Sequence, residues 1–299
     1  MDIIYRYDPF QPIVPRQLED ASAAIEILAQ GHERYATIVS QVQKELLGDH
    51  SAGPVVIPRD LMSLGMVMGA EVPPVQTPYA LVLGCSDARA PIERIFDQSL
   101  NDLFVIRVAG NVLGVECLGS IDYAVNQLGG SLKLLVVLGH SSCGAVTAAV
   151  DSYLAPKDYA SIAFTHSLRS LVDRIQVAVR GVATALERVA GASAARHPSY
   201  RAALIEAAIY VNAAITAYDV RREIDRLGGS AVRVVYGVFD LIQHRVRARP
   251  VTSSGDGPGR IPIFSDVPGG PDEFGAIGTE IARAVAAHRL RPDPPGSPT

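Results

Sequence analysis

Short apolar runs alternate with longer stretches of helical periodicity through the middle of this chain. Four runs have the length of buried strands and are rich in Val, Ile and Leu: 79–84, 103–108, 132–138 and 231–237. Residues 115–128, between the second and third runs, carry apolar side chains at helical spacing. Strands and helices that alternate in this way are typical of a parallel sheet with helices on its faces. The pattern therefore predicts an α/β fold with a mostly parallel central β-sheet flanked by helices.

Helical periodicity also occurs on both sides of this unit. Apolar residues recur at helical spacing from Arg16 to about Val42, and such an amphipathic helix needs a surface to cover its apolar face. Further helices are predicted from Ala145 onward and over about 162–190, 200–227 and 279–290. Gly228 and Gly229 should end the helix over 200–227, because glycine is favoured just after the last helical turn.

Composition divides the chain into three segments. Residues 1–48 comprise a Pro-containing extended arm and the amphipathic helix, 49–248 comprise the α/β unit, and 249–299 form a Pro/Gly-rich C-terminal extension. Within the second segment, Pro and Gly predict loops at 49–60 and 73–78. We expect the extension to be partly flexible and not to form a second domain.

Composition and charge argue against several classes of protein. The 299 residues are 48% hydrophobic and 19% charged, which is typical of a globular chain. The net charge of −4 and the absence of a basic block argue against nucleic-acid binding. The apolar stretch 202–218 falls just short of the ~20 residues of a membrane-spanning helix and contains Glu206 and Asn212, so it is predicted to be a buried helix. Three cysteines make no disulfide framework, and the first residues lack a secretory apolar core, so we expect a soluble, cytoplasmic protein.

Two strings that directly follow predicted strands carry metal-ligating side chains. They are Cys85-Ser-Asp-Ala-Arg89, after the first strand, and His140-Ser-Ser-Cys-Gly144, after the third. In parallel sheets such strand ends meet at one edge, where sites commonly form. Two thiolates and one imidazole suit zinc, and three protein ligands leave its fourth tetrahedral position open, as in catalytic sites. The sequence therefore predicts one Zn²⁺ per chain, bound by Cys85, His140 and Cys143.

Asp87 and Arg89 are the second chemical signal. Alternate residues of extended backbone point the same way, so we expect the two side chains to pair and the carboxylate to stay ionised. Beside a zinc ion, that carboxylate could accept a hydrogen bond from a water molecule. Cys117 is predicted to be a small buried hydrophobe. The spacings of a nucleophile elbow, a dinucleotide-binding loop and a Cys-x-x-Cys pair are absent. The residues alone indicate a zinc hydrolase or hydratase.

The two zinc-binding strings resemble those of the β-class carbonic anhydrases. Residues 102–111 and 120–125 are also similar to characteristic strings of that family, and the likeness extends from about Ala24 to Asp240. The resemblance implies a zinc ion on the three predicted ligands and an Asp87–Arg89 dyad that keeps its water position open. It also implies an N-terminal helical arm that embraces a partner subunit, in a homodimer or a dimer-based larger oligomer.

The resemblance also implies a substrate pocket. Gln76 matches the amide that orients the substrate, Phe104 and Tyr123 match apolar pocket residues at a subunit interface, and Gly144 matches a pocket glycine. Ala109 stands where the family often has a larger apolar residue, which could widen the pocket.

The implied reaction is the reversible hydration of carbon dioxide to bicarbonate and a proton. Two alternatives stay open: hydrolysis of carbonyl sulfide or carbon disulfide at the same site, and a non-catalytic, zinc-stabilised binding scaffold. Whether Asp87 pairs with Arg89 or occupies the fourth zinc position at rest is also open. The chain departs from the family at Val108 and His32, where Asn is common, and it has no tryptophan. These departures bear on rate and regulation more than on the reaction.

Overall fold

The computed structural model describes residues 2–8, 10, 18–49, 53–59, 75–228, 231–250 and 262–290. Its strands are β1 (Ile3–Tyr7), β2 (Val55–Arg59), β3 (Ala80–Gly84), β4 (Leu103–Arg107), β5 (Leu134–His140), β6 (Arg233–Asp240), β7 (Arg245–Arg247) and β8 (Ser265–Asp266). Its α-helices are α1 (Ala21–Leu46), α2 (Ile92–Ile95), α3 (Val115–Leu128), α4 (Gly144–Leu154), α5 (Tyr159–Ile162), α6 (His166–Ala190), α7 (Tyr200–Arg226) and α8 (Pro271–Arg289).

A six-stranded sheet forms the centre of the molecule. Its strand order is β4-β3-β5-β6-β7, and β8 also pairs with β6. The strands from β3 to β6 pair in parallel, whereas β7 and β8 run antiparallel to β6. Every residue of β3 and β5 is buried, which explains their continuous apolar sequences, since helices cover both faces of the sheet. The prediction of an α/β fold with a mostly parallel sheet is confirmed.

The two faces of the sheet are covered by different sets of helices. On one face, Ala24 and Leu28 of α1 and Ile92 of α2 pack with Val82 and Val136 of the sheet. On the other face, α3, α4, α6, α7 and α8 form the larger apolar cluster. The apolar side of α1 is therefore covered by the sheet of its own chain. The prediction that α1 also packs against a partner subunit stays a prediction.

The His32 side chain links α1 to two other segments of the chain by hydrogen bonds. Its ring is 2% exposed; Nδ1 donates to the Ile95 carbonyl at 3.0 Å, and Nε2 accepts from the Val246 N–H at 2.8 Å. Both ring nitrogens are thus used by the neutral imidazole. Burial is the main cause that lowers the pKa of His32, because desolvation disfavours the charged ring.

The first two strands make a separate parallel ribbon. Arg59, at the end of β2, pairs with Asp97, which also accepts from Arg34 of α1 at 2.6 Å. The predicted loop at 49–60 is therefore wrong at Val55–Arg59. Within the predicted arm, Ile3–Tyr7 is a strand.

Several predicted boundaries shift in the structure. Helix α1 runs from Ala21 to Leu46, four residues past the predicted end, and its N-cap Asp20 accepts from the Ala23 N–H at 2.9 Å. Helix α8 begins at Pro271 and not at Thr279, and β6 is followed by two further short strands. Much of the predicted arm and extension (residues 11–17, 251–261 and 291–299), the 60–74 stretch and Gly229 lie outside the described residues.

Residues 262–290 pack on the α/β unit. Strand β8 pairs with β6, and Ile281, Ala282 and Val285 of α8 belong to the larger apolar cluster. Glu206 of α7 accepts from Arg289 at 2.7 Å and lies 3.1 Å from His288 Nε2. The division of the chain into three segments stays a prediction, but this part of the last segment belongs to the same core as the sheet.

Among the described residues, one helix, α7, is long and apolar enough to cross a membrane. Of its most apolar window, 72% is buried inside the protein. The prediction of a buried helix for 202–218 is confirmed.

Candidate metal centre

Three potential metal ligands converge at the carboxyl edge of the sheet. Cys85 directly follows β3, His140 is the last residue of β5, and Cys143 is the N-cap of α4. Because Gly84 pairs with Leu138, the two strands end side by side. The ligand atoms of Cys85, His140 and Cys143 all lie within 4.8 Å of one another, and the three residues are buried.

The imidazole of His140 is oriented for metal binding. Its Nδ1 lies 2.9 Å from the Ser141 carbonyl, which can only accept a hydrogen bond, so Nδ1 carries the proton. The lone pair therefore lies on Nε2, which is buried and has no hydrogen-bond partner among the described residues. A backbone carbonyl that fixes the tautomer of a histidine in this way is typical of metal sites. The donor set and the unpaired buried nitrogen both fit a zinc ion.

The two sulfur atoms interact, and their pKa values shift in opposite directions. The pKa of Cys85 is lowered to about 4, mainly because the Cys143 thiol donates a hydrogen bond to its thiolate. The pKa of Cys143 is raised by its interaction with the Cys85 sulfur and by burial. The first N–H groups of α4 lower the pKa of Cys143, but Cys85 and burial have the larger effect. A soft cation bound between the two sulfur atoms would be held by two thiolates.

Asp87 and Arg89 form a bidentate ion pair. Arg89 Nε donates to Asp87 Oδ1 at 3.0 Å, and Nη2 donates to Oδ2 at 2.7 Å. The predicted pairing is present, but extended backbone does not cause it. A turn does, in which the Ala90 N–H donates to the Asp87 carbonyl at 3.1 Å and the Arg89 N–H to Asp87 Oδ1 at 2.9 Å.

This ion pair also connects the two ligand loops. Arg89 Nη2 donates to the Ser142 carbonyl at 3.3 Å, and Asp87 Oδ2 lies 3.8 Å from His140 Nε2. The Arg89 guanidinium holds the pKa of the Asp87 carboxyl well below its usual range. Asp87 is therefore an ionised hydrogen-bond acceptor beside the three ligand atoms at neutral pH.

Two features of this site were not predicted from the sequence. Arg107, at the end of β4, donates from Nε to the Cys85 carbonyl at 2.9 Å and from Nη2 to the Asp87 carbonyl at 2.5 Å. The Gly110 N–H donates to Cys85 Sγ at 3.3 Å. Both contacts involve backbone groups of a neighbouring segment, so residue type alone gave no signal for them.

The residues of the predicted substrate pocket are less closely grouped. The rings of Phe104 and Tyr123 have centroids 6.4 Å apart, and Tyr123 is 51% exposed. Gln76 is exposed in the segment before β3. Ala109 is half-buried at the start of a 3₁₀ turn, and Gly144 is the exposed first residue of α4. The roles assigned to these five residues stay predictions.

Comparison with known proteins identifies the family. The family model described as carbonic anhydrase matches residues 80–239, which is more than half of the chain and includes all three potential ligands. The chain belongs to the β-class carbonic anhydrase family. The match starts and ends with strands of the central sheet, so this β-class carbonic anhydrase core carries the candidate metal centre.

Individual relatives support this membership. The chain is 41% identical over 128 residues to carbonic anhydrase 2 of Mycobacterium tuberculosis. This matched stretch covers 43% of this chain and 52% of that protein. It is 42% identical over 116 residues to a carbonic anhydrase of Mycolicibacterium smegmatis, covering 38% of this chain and 52% of that protein. The chain thus spans about half the length of the curated relatives that it matches.

Solved β-carbonic anhydrases are also similar, at lower identity. One from Coccomyxa, in complex with acetazolamide, has 20% identity and a TM-score of 0.46. The match covers 57% of this chain and 72% of the Coccomyxa chain. One from Aspergillus fumigatus has 19% identity and a TM-score of 0.45. The match covers 87% of this chain and 98% of the Aspergillus chain.

Proposed function

We propose that this protein is a zinc-dependent carbonic anhydrase, which catalyses the reversible hydration of carbon dioxide to bicarbonate and a proton. The observation that carries the proposal is the buried Cys85–His140–Cys143 cluster, in which His140 Nε2 has no hydrogen-bond partner within the described part of the chain. This cluster lies within the matched family region.

The three cluster residues would hold the zinc ion. When bound, zinc lowers the pKa of a water molecule in its open position and so supplies the nucleophile, as it is known to do in carbonic anhydrases. Arg107 keeps the Cys85 and Asp87 carbonyls in place, and Ser141 keeps the His140 ring in its tautomer. These contacts position the ligands before an ion binds.

Asp87 is the residue that orients the attacking water. Its carboxylate stays ionised and can only accept hydrogen bonds, so a water beside it must direct an O–H toward Asp87 and a lone pair elsewhere. Arg89 binds both carboxylate oxygens and also the backbone of the other ligand loop. In the zinc-loaded protein, Arg89 would therefore keep Asp87 from becoming a metal ligand, as in the open form of the site.

Phe104, Tyr123 and Ala109 would form the apolar surface for carbon dioxide, with Gly144 beside the metal and Gln76 donating to a substrate oxygen. In the single chain, Tyr123 and Gln76 are exposed. We propose that a second copy covers them and completes the pocket, so that the working form is a homodimer or a larger assembly of dimers. We also propose that the enzyme acts in the cytoplasm.

Stopped-flow hydration of carbon dioxide on metal-quantified protein tests the proposal. We expect activity in proportion to bound zinc, loss of activity on zinc removal, and recovery when zinc is restored. Carbonyl sulfide and carbon disulfide are assayed in parallel on the same preparation. Hydration at the background rate in zinc-loaded protein would refute the proposal, and turnover of a sulfur compound alone would reassign the reaction. Stoichiometric zinc without turnover of any of the three would leave only the binding scaffold.

A further inference from the structure

The buried helix α7 contains an asparagine that is linked to the candidate metal centre by two successive hydrogen bonds. Asn212 is 4% exposed and lies in the mostly apolar stretch over 202–218. Its Nδ2 donates to the Gly110 carbonyl at 2.9 Å, across 102 residues of sequence. Burial of a side-chain amide is unfavourable unless the amide is hydrogen-bonded, so this contact explains why the amide is tolerated there.

Gly110 is the residue whose N–H donates to Cys85 Sγ at 3.3 Å. Its φ is +67°, and a Cβ at this position would lie 2.9 Å from Ile175 Cδ1 and 3.0 Å from Ala145 Cβ. Only glycine combines this left-handed backbone with the close approach. The direction of the Gly110 N–H therefore depends on how the turn around it is held.

The turn at Ala109–Asn111 is held at several points. The Asn111 N–H donates to the Val108 carbonyl at 2.9 Å, and Val108 N–H donates to the Gly84 carbonyl at 3.0 Å. Downstream, Arg174 Nη1 donates to the Leu113 carbonyl at 2.8 Å. The Asn212 amide acts on Gly110 itself, the residue that donates to the sulfur.

We infer that Asn212 is a positioning residue of the metal centre, which acts through Gly110 on the Cys85 thiolate. By fixing the Gly110 carbonyl, Asn212 keeps the N–H of the same residue aimed at Cys85 Sγ. An N–H donor stabilises negative charge on the sulfur and orients its remaining lone pairs. The inference rests on the proposed function, because it takes the Cys85 cluster to be the zinc site.

The test compares Asn212→Leu with Thr216→Val. Leucine has the same branching and the same number of side-chain heavy atoms as asparagine, but no donor. Thr216 lies one turn further along α7 and is 5% exposed, so its replacement by valine is a matched loss of a buried polar group. Both positions border a cavity of about 590 Å³, which gives room for the substituted side chains.

Binding of Co²⁺ to the metal-free proteins is the readout. Affinity is measured by competition with a chelator, and the thiolate-to-cobalt charge-transfer band reports the electron density on sulfur. We expect Asn212→Leu to bind Co²⁺ about 10- to 100-fold more weakly, as is usual when a group that orients a ligand is lost. We also expect its charge-transfer band to move to longer wavelength, because the thiolate loses its N–H donor. Thr216→Val should match the wild type in both measurements.

Wild-type affinity and an unshifted band in Asn212→Leu would overturn the inference, even if that variant is less stable. If it does not fold, the smaller Asn212→Ala, which also lacks a donor, takes its place under the same criteria. NMR of the wild-type protein loaded with ¹¹³Cd gives an independent check, since the Gly110 amide proton should show scalar coupling to the metal through the N–H···S contact. Absence of that coupling would also overturn the inference. Failure of the wild type to bind any of these metals would instead refute the proposed function.

Discussion

Two aspartate–arginine pairs in this protein have nearly the same geometry but lie in different surroundings. Asp87–Arg89 is bidentate at 3.0 and 2.7 Å, and Asp151–Arg201 is bidentate at 2.6 and 2.8 Å. The second pair joins α4 to α7 on the helical side of the molecule. The first lies in the loop after β3, with a carboxylate oxygen 3.8 Å from a buried imidazole nitrogen.

The cysteines differ in the same way. Cys85, Cys117 and Cys143 are all buried and free, but only the first and last lie at strand ends on the carboxyl edge of the sheet. Cys117 packs among the apolar side chains of the larger cluster. Residue type and pair geometry therefore do not define this site. Its chemistry depends on where the sheet places these side chains and on which backbone groups surround them.

The largest difference should separate Cys143→Ser from Cys117→Ser. Loss of a thiolate ligand should reduce bound zinc and bring carbon dioxide hydration close to the uncatalysed rate. Cys117→Ser should keep zinc and most of the activity, because Cys117 only fills space. Metal analysis and stopped-flow assays on both variants check this. Full zinc and full activity in Cys143→Ser would remove Cys143 from the ligand set.

The two ion pairs can be compared through Asp87→Asn and Asp151→Asn. Asparagine at 87 is neutral and presents an N–H₂ group where the water needs an acceptor, so kcat/KM should fall by about 10²- to 10⁴-fold. Asparagine at 151 should leave kcat/KM unchanged and alter the free energy of unfolding by about 0–1 kcal/mol, as is usual for an exposed pair. Hydration kinetics and denaturant unfolding measure the two quantities. Equal kinetic effects at the two positions would contradict the role of Asp87.

A smaller effect is expected when the support of the ligand loop is weakened. Arg107→Gln removes the forked donor that holds the Cys85 and Asp87 carbonyls, so zinc affinity should fall by about 10-fold or more. The control is Arg233→Gln, since Arg233 at the start of β6 pairs only with the exposed Asp266 among its described contacts. Chelator competition measures the affinities, and equal affinities in the two variants would show that Arg107 is dispensable.

The smallest effect concerns pH and distinguishes a buried histidine from an exposed one. The pKa of His32 is lower in the folded chain than the ordinary value of 6.5, so the unfolded chain binds more protons at mildly acidic pH. The stability that neutral His32 provides is therefore complete above about pH 6.5 and is lost as the pH falls toward the folded pKa. His32→Gln should reduce the free energy of unfolding at pH 8 by about 1–3 kcal/mol and make it less dependent on pH between 7 and 5.

His166→Gln is the control for His32, because it removes an exposed histidine from the first turn of α6. Urea titrations of both variants at several pH values give the slope of the free energy of unfolding against pH. If this slope is the same in His32→Gln as in the wild type, His32 does not contribute to the acid sensitivity of the fold.

The sequence predicted the parts of the fold that have strong local patterns. Strands β3 and β5 are continuous apolar runs, and α3 was predicted over the residues that it occupies. Strand β2 was not predicted, because Pro58 reads as a loop signal and the pairing partner lies far away in sequence. Strands β7 and β8 have three and two residues, which is too short for any periodicity. The first two turns of α8 were not predicted, because Gly275 and Gly278 are unfavourable inside a helix. Pro271 at the first position is nevertheless a favourable start.

The candidate site divides in a similar way. Cys85, His140 and Cys143 could be predicted because each lies at or just after the end of a recognisable strand. The pairing of Asp87 with Arg89 was predicted for the wrong reason, since a turn and not extended backbone brings them together. Asn212 was noted only as a polar interruption of an apolar helix. Its contact with Gly110 depends on how distant segments pack, which no local pattern contains.

The pairing of β3 with β5 has a consequence for substitutions far from the metal centre. Val82 lies opposite Val136, two positions before the pair that ends β3. If β3 slid by one residue, Cys85 would move by about 3.3 Å and its side chain would change faces. The distances between Cys85 and the two potential ligands at the end of β5 therefore depend on the register of buried side chains inside the sheet. If the proposed zinc site is correct, a larger side chain at Val82 should lower the metal content, measured by elemental analysis, before it unfolds the chain. A defect in metal content would then originate in the hydrophobic interior.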